Sequence, residues 1–194
     1  MTALFLHGWG ADERDLAGLS PYIPDALPWA SVRAPLRHPS FGYAWYPLES
    51  EDSWDHAAAI GEATDALWAW VDEALGETAR IVPIGFSQGG LMASQLLRTV
   101  PDRVPAAAIL SGYVRSGEER ADAELAEHKP PVFWGRGSAD PVIPARAIEA
   151  TEAFLAAHAT AETRIYQGVG HSVSELELEH LRRFLERVAQ DIAG

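Results

Sequence analysis

The chain has 194 residues, 47% of them apolar and 22% charged, which fits one soluble globular domain over residues 1–194. No run approaches the roughly 18 consecutive apolar residues of a membrane span, and zero cysteines exclude disulfides, thiolate metal sites and a cysteine nucleophile. A net charge of −13 argues against nucleic acid and anionic membranes as partners, since both need basic patches.

In chain order, short apolar runs alternate with longer stretches of helical period. Residues 3–6 predict a strand, followed by a short helix over 12–19 and a second strand over 30–33. Residues 53–75 predict a long helix, opened by Ser53 as N-cap with acids close behind and closed at Gly76. A third strand over 81–84 runs into a helix over 88–100 that stops at Pro101. Strands over 106–110, 131–134 and 162–166 then alternate with helices over 117–127, 144–157 and 173–189. The N-terminal "MTALFLHGWG" lacks the basic leader of a signal peptide, so a cytoplasmic location is the expectation.

Most of these strands are apolar without polar alternation, as strands covered on both faces are. The last, "ETRIY", alternates more and is expected at an edge. The alternation predicts an α/β fold of about six mostly parallel strands with helices on both faces. Ligands of such sheets bind beyond the carboxyl ends of the strands.

Ser87 stands at such an end, in Gly85-Phe86-Ser87-Gln88-Gly89. This G-x-S-x-G pattern between strand and helix is that of a nucleophile elbow, in which a strained turn lifts the hydroxyl clear of the sheet. The residues two before and two after the serine approach closely, so both must be small. The hydroxyl needs a base. Of seven histidines, His171 lies just past the last strand in the glycine-flexed "YQGVGHSV". His7 sits inside the "HGWG" turn, where it reads as a structural hydrogen bonder, and the others fall in helices, at helix ends or in a loop. The acid is Asp140, shortly past the fifth strand in "GRGSADPVIP". Ser87, Asp140 and His171 follow the chain order of an α/β-hydrolase triad. The oxyanion of acyl transfer needs N–H donors. Gln88 offers one at its helix N-terminus, and a second is expected from the turn "LHGWGAD".

Together "FLHGWGAD", "IGFSQGG", "GSADPVIP" and "GVGHSV" resemble the four signature blocks of the phospholipase/carboxylesterase family of α/β-hydrolases, which includes acyl-protein thioesterases. The resemblance runs nearly the whole chain. It implies Ser87, Asp140 and His171 as the catalytic triad and the backbone amides of Trp9 and Gln88 as the oxyanion hole. Leucine is common in the family where this chain has Trp9. The chain begins at what would be the third strand of typical members, so their first two sheet strands are expected to be absent.

The expected activity is that of a serine carboxylesterase acting on small acyl esters of short to medium chain, with no metal and no organic cofactor. An acyl thioesterase, a lactone hydrolase or a perhydrolase would use the same triad. A non-catalytic small-ligand receptor would be favoured by a missing triad member, and none is missing. The segment "PLRHPSFGYAWYPLESEDSW" carries Phe41, Tyr43, Trp45, Tyr46 and Trp54. These aromatics form either a satellite core under a long loop or the wall of an acyl groove, and Phe41, Tyr43 and Trp45 are assigned to substrate binding. Arg33 and Arg37 nearby would tolerate an anionic leaving group. The connection over residues 111–129 has room for at most one short helix. No cap domain, and no interfacial activation, is therefore expected.

Overall fold

The computed structural model describes residues 1–38, 40–48 and 54–193. Its strands are β1 (Thr2–Leu6), β2 (Trp29–Val32), β3 (Leu36–Arg37), β4 (Tyr43–Ala44), β5 (Ile81–Phe86), β6 (Ala107–Leu110), β7 (Pro131–Gly137) and β8 (Thr160–Tyr166). Six of them form one sheet in the order β2-β1-β5-β6-β7-β8, and every pairing in it is parallel. All six sequence-predicted strands are in this sheet, and the alternating β8 lies at an edge. At the opposite edge, no strand among the described residues lies beyond β2. The chain builds outward from β1 to β2, then crosses to the other side of β1 for β5 and continues to β8. The strand order therefore reverses between β1 and β5, which is where open α/β sheets form a crevice.

The pleat divides the core in two. Leu4 and Leu6 of β1 face α1 (Ala57–Leu75) and α2 (Gln88–Thr99), whose Ile60, Leu67, Val71, Leu91 and Leu96 are fully or almost fully buried with them. The same layer takes in Leu125 of α3 (Asp122–His128) and Phe154 and Leu155 of α4 (Ala145–His158). Ala3 and Phe5 face the other way, against Leu181, Phe184, Leu185 and Val188 of α5 (Glu175–Ala193). These α5 positions fall at helical spacing on one face. Each contributes about 2 kcal/mol by leaving water.

Three predicted helices begin elsewhere. Residues 12–19 form no α-helix; a 3₁₀ stretch over Leu16–Tyr22 replaces it, with Pro21 inside. Proline has no N–H to give a longer α-helical ladder. Ser53 lies outside the described residues, and α1 is capped by His56, whose Nδ1 accepts from the Ala59 N–H at 3.2 Å. Residues 117–121 are not helical: the stretch opens with Gly117 at φ 80° and with its carbonyl held by Arg98. Its buried guanidinium donates to the carbonyls of Arg115 (2.9 Å) and Gly117 (2.7 Å) and pairs with Asp122 at 2.7 Å. The connection from β6 to β7 thus holds only α3 and no cap domain.

Candidate active site

Ser87 is lifted out of the sheet by a backbone conformation that few residues other than glycine adopt, φ 54° and ψ −116°. Such strain costs about 1–3 kcal/mol and persists where the surroundings enforce it. Here the enforcement is crowding. A Cβ on Gly85 would stand 1.9 Å from the Gly89 carbonyl oxygen, and one on Gly89 would stand 1.9 Å from the Leu6 carbonyl oxygen. The Ser87 N–H still finds the Leu110 carbonyl of β6, at 2.9 Å.

The three residues singled out from sequence meet above the sheet. His171 Nε2 lies 2.9 Å from Ser87 Oγ, and its Nδ1 lies 2.8 Å from Asp140 Oδ2. Asp140 accepts the Nδ1 proton, so Nε2 keeps its lone pair for the serine hydroxyl. The other carboxyl oxygen, Oδ1, accepts from the N–H groups of Val142 (2.8 Å) and Ile143 (3.3 Å), which fixes the acid in place. The two loops are also bolted together. Ala139 N–H donates to the Val169 carbonyl at 3.0 Å and Gly168 N–H to Ser138 Oγ at 2.9 Å. The Phe86 ring backs the imidazole at 4.9 Å.

The "HGWG" turn packs directly on the elbow, where a Cβ on Gly8 would stand 3.5 Å from Ser87 Cβ. His7 is fully buried. Burial holds its pKa below the usual histidine value, against the opposing pull of the Gly8 carbonyl. Its Nε2 accepts from the Ala34 N–H at 3.1 Å and its Nδ1 bonds the Gly8 carbonyl at 2.8 Å, so its role is structural as expected. Gln88 opens α2, and its N–H has no acceptor in a preceding helical turn. Its side chain does something the sequence did not announce. Oε1 accepts from the Trp45 N–H at 2.9 Å and Nε2 donates to the Tyr46 carbonyl at 2.7 Å.

A cleft of about 550 Å³ opens above Ser87, Gln88 and His171, walled by Trp9, Leu48, Trp54, Tyr113 and Val142. Of the residues assigned to substrate binding, Trp45 is not among its walls. That indole is 2% exposed, and its Nε1–H donates to the His7 carbonyl at 2.9 Å, behind the turn rather than in the cleft. Tyr43 is also set aside from it. Its backbone joins Gly10 and Ala11, and its ring lies under Arg33, whose guanidinium is held by Glu13. Phe41 is 60% exposed and stands behind Trp9, 6.4 Å between ring centres. Tyr113 and Val142 carry no motif that marks them as cleft walls, although each stands only a few residues past a strand end. A second cavity, of about 570 Å³ beside Arg98 and Phe154, holds none of the three catalytic candidates. Among the described residues, no cluster of three or more His, Cys, Asp or Glu side chains is placed to hold a metal.

A parallel sheet with a serine elbow after a central strand, followed by an acid and then a histidine after the next strands, defines an α/β-hydrolase. Residues 1–189 match the phospholipase/carboxylesterase family, and the chain belongs to it. It is 28% identical over 175 residues to a probable carboxylesterase of Oryza sativa subsp. japonica, a match covering 81% of this chain and 65% of that protein. It is 25% identical to acyl-protein thioesterase 1 of Cryptococcus neoformans, over 95% of this chain and 90% of that one. The crystal structure of esterase PE8 superposes with a TM-score of 0.80 at 27% identity, covering 96% of this chain and 92% of the other.

Proposed function

We propose that this protein is a serine carboxylesterase that cleaves acyl esters of short to medium chain through an acyl-enzyme. The observation that carries the reading is the unbroken relay at the base of the cleft, Ser87 Oγ to His171 Nε2 at 2.9 Å and His171 Nδ1 to Asp140 at 2.8 Å. Ser87 Oγ attacks the acyl carbon as its proton passes to His171 Nε2. Asp140 holds the ring and stabilises the imidazolium. The N–H groups of Gln88 and Trp9 receive the oxyanion, each worth about 3 kcal/mol of barrier. Collapse breaks the carbon–oxygen bond of the ester, and His171 returns the proton to the leaving alcohol. Water then repeats the sequence on the acyl-enzyme and releases the acid.

The walls Leu48, Trp54 and Val142 suit an apolar acyl or alcohol group of modest size. The likeness to an acyl-protein thioesterase favours sulfur esters as the second reading, with the same three residues. A location in the cytoplasm is part of the proposal, in keeping with a chain that has no cysteine. The purified protein tested on p-nitrophenyl esters of increasing chain length and on matching acyl thioesters separates these readings. Turnover of oxygen esters, best for short to medium chains, is expected; turnover of thioesters alone would replace the first reading with the second.

A further inference from the structure

Glu177 is a buried ionisable group that this reaction leaves unused. It lies in the first turn of α5, in the stretch "GHSVSELE" that begins just before His171, and it is wholly shielded from solvent. Ser174 to Glu177 has the pattern of a capping box, in which a hydroxyl takes the N–H of the third residue on and that residue's carboxylate reaches back. Half of the box forms. Ser174 Oγ accepts from the Glu177 N–H at 3.2 Å, but the carboxyl turns inward and neither of its oxygens has a hydrogen-bond partner.

The carboxyl occupies space that Gly135 of β7 leaves open, since a Cβ there would stand 2.1 Å from Oε1. The Phe133 ring of the same strand borders that space, 3.1 Å from where the Cβ would stand. From β8 it is faced by Tyr166, whose hydroxyl bonds His180 of α5 at 3.1 Å. Glu162 and Arg164, also on β8, pair with each other at 2.9 Å. Among the described residues no cation is paired with Glu177. Burial raises its pKa to about 7, against the opposing pull of the Ser174 backbone N–H.

The loop that ends in this cap also carries His171. Its position on the sheet is set by the bond from Ala139 N–H to the Val169 carbonyl, by Ser111 Oγ donating to the Ser172 carbonyl at 3.3 Å, and by the seat of Glu177 against Gly135. We propose that Glu177 is a positioning residue for His171, whose protonated carboxyl seats the start of α5 and whose ionisation shifts that seat and the histidine with it. A neutral carboxyl tolerates an enclosure without cations, whereas a carboxylate there must move toward the Ser174 N–H or toward water. A displacement of about 1 Å at a catalytic group costs on the order of 10²-fold in rate. The inference rests on the proposed ester hydrolysis.

The test is kcat/KM for p-nitrophenyl acetate from about pH 5 to 9.5, in wild type and in Glu177→Gln. Loss of turnover in Ser87→Ala checks the underlying reaction first and separately. Wild type is expected to lose kcat/KM as pH rises through about 7, where Glu177 ionises, whereas Glu177→Gln lacks that loss. A wild-type profile without a fall through that range, or a fall that persists in Glu177→Gln, overturns the proposal. The urea midpoint gives a second readout. Unfolded, the carboxyl titrates near 4.5, and folded at about 7, so the folded chain binds this proton more tightly. Stability present below 4.5 is therefore lost as pH rises through about 7 in wild type, and the loss is absent in Glu177→Gln. If the variant does not fold, the wild-type profile decides alone.

Discussion

Asp140 shows how much of the site depends on single hydrogen bonds. One carboxyl oxygen is taken by the N–H groups of Val142 and Ile143 and the other by His171, so the acid has one orientation and dictates one imidazole tautomer. Asp140→Asn keeps the shape but can present an amide N–H where an acceptor is needed. A fall in kcat on the order of 10⁴-fold is expected, measured on the best p-nitrophenyl ester with folding checked by circular dichroism. Activity within tenfold of wild type would assign the orienting role to another acid. The three catalytic candidates were legible in the sequence because each carries local punctuation: glycines flanking Ser87, Pro141 behind Asp140, and Gly168 and Gly170 before His171. The inward turn of Glu177 was not legible. Its pattern is that of a surface capping box, and only the gap over Gly135 on a distant strand admits it.

Among the elements, the aromatic segment after β2 departs furthest from expectation. Its spacing was compatible with a groove wall or a buried strut, and which side chains turn inward depends on partners far along the chain. The side chain of Gln88 supplies those partners by clamping the backbone of Trp45 and Tyr46. Trp45 then reaches the His7 carbonyl, so the strut supports the turn that carries Trp9. Removing the indole N–H in Trp45→Phe leaves a buried carbonyl unpaired and a small void, at a cost of about 1–3 kcal/mol. The expected result is a lower urea midpoint with the same ranking of acetate through dodecanoate esters. A changed ranking at unchanged stability would return Trp45 to the substrate. The strands were easier to read than this segment because short apolar runs such as Ala107–Leu110 and residues 131–134 need only a sheet to bury them.

At the scale of the whole molecule, the relay of Ser87, His171 and Asp140 exists only because the sheet is assembled in one order. Ser87 follows β5, Asp140 follows β7 and His171 follows β8, while the turn with Trp9 follows β1 on the other flank of β5. The reversal of strand order between β1 and β5 brings that turn against the elbow. Alternation of strands and helices implied a parallel sheet, and the carboxyl-edge rule then gathered the loops that bring Ser87, Asp140 and His171 within hydrogen-bonding distance. The order of strands within the sheet is set by which faces pack together, so it emerged only from the structure. On the proposed function, this assembly makes Ser87 a nucleophile. A fluorophosphonate, which esterifies activated serines, tests this on the folded protein, with the labelled peptide mapped by mass spectrometry. A single label on the peptide containing Ser87 is expected, with label and ester hydrolysis lost together in Ser87→Ala. Label on another residue, or hydrolysis surviving within tenfold in a folded Ser87→Ala protein, would mean that Ser87 is not the nucleophile.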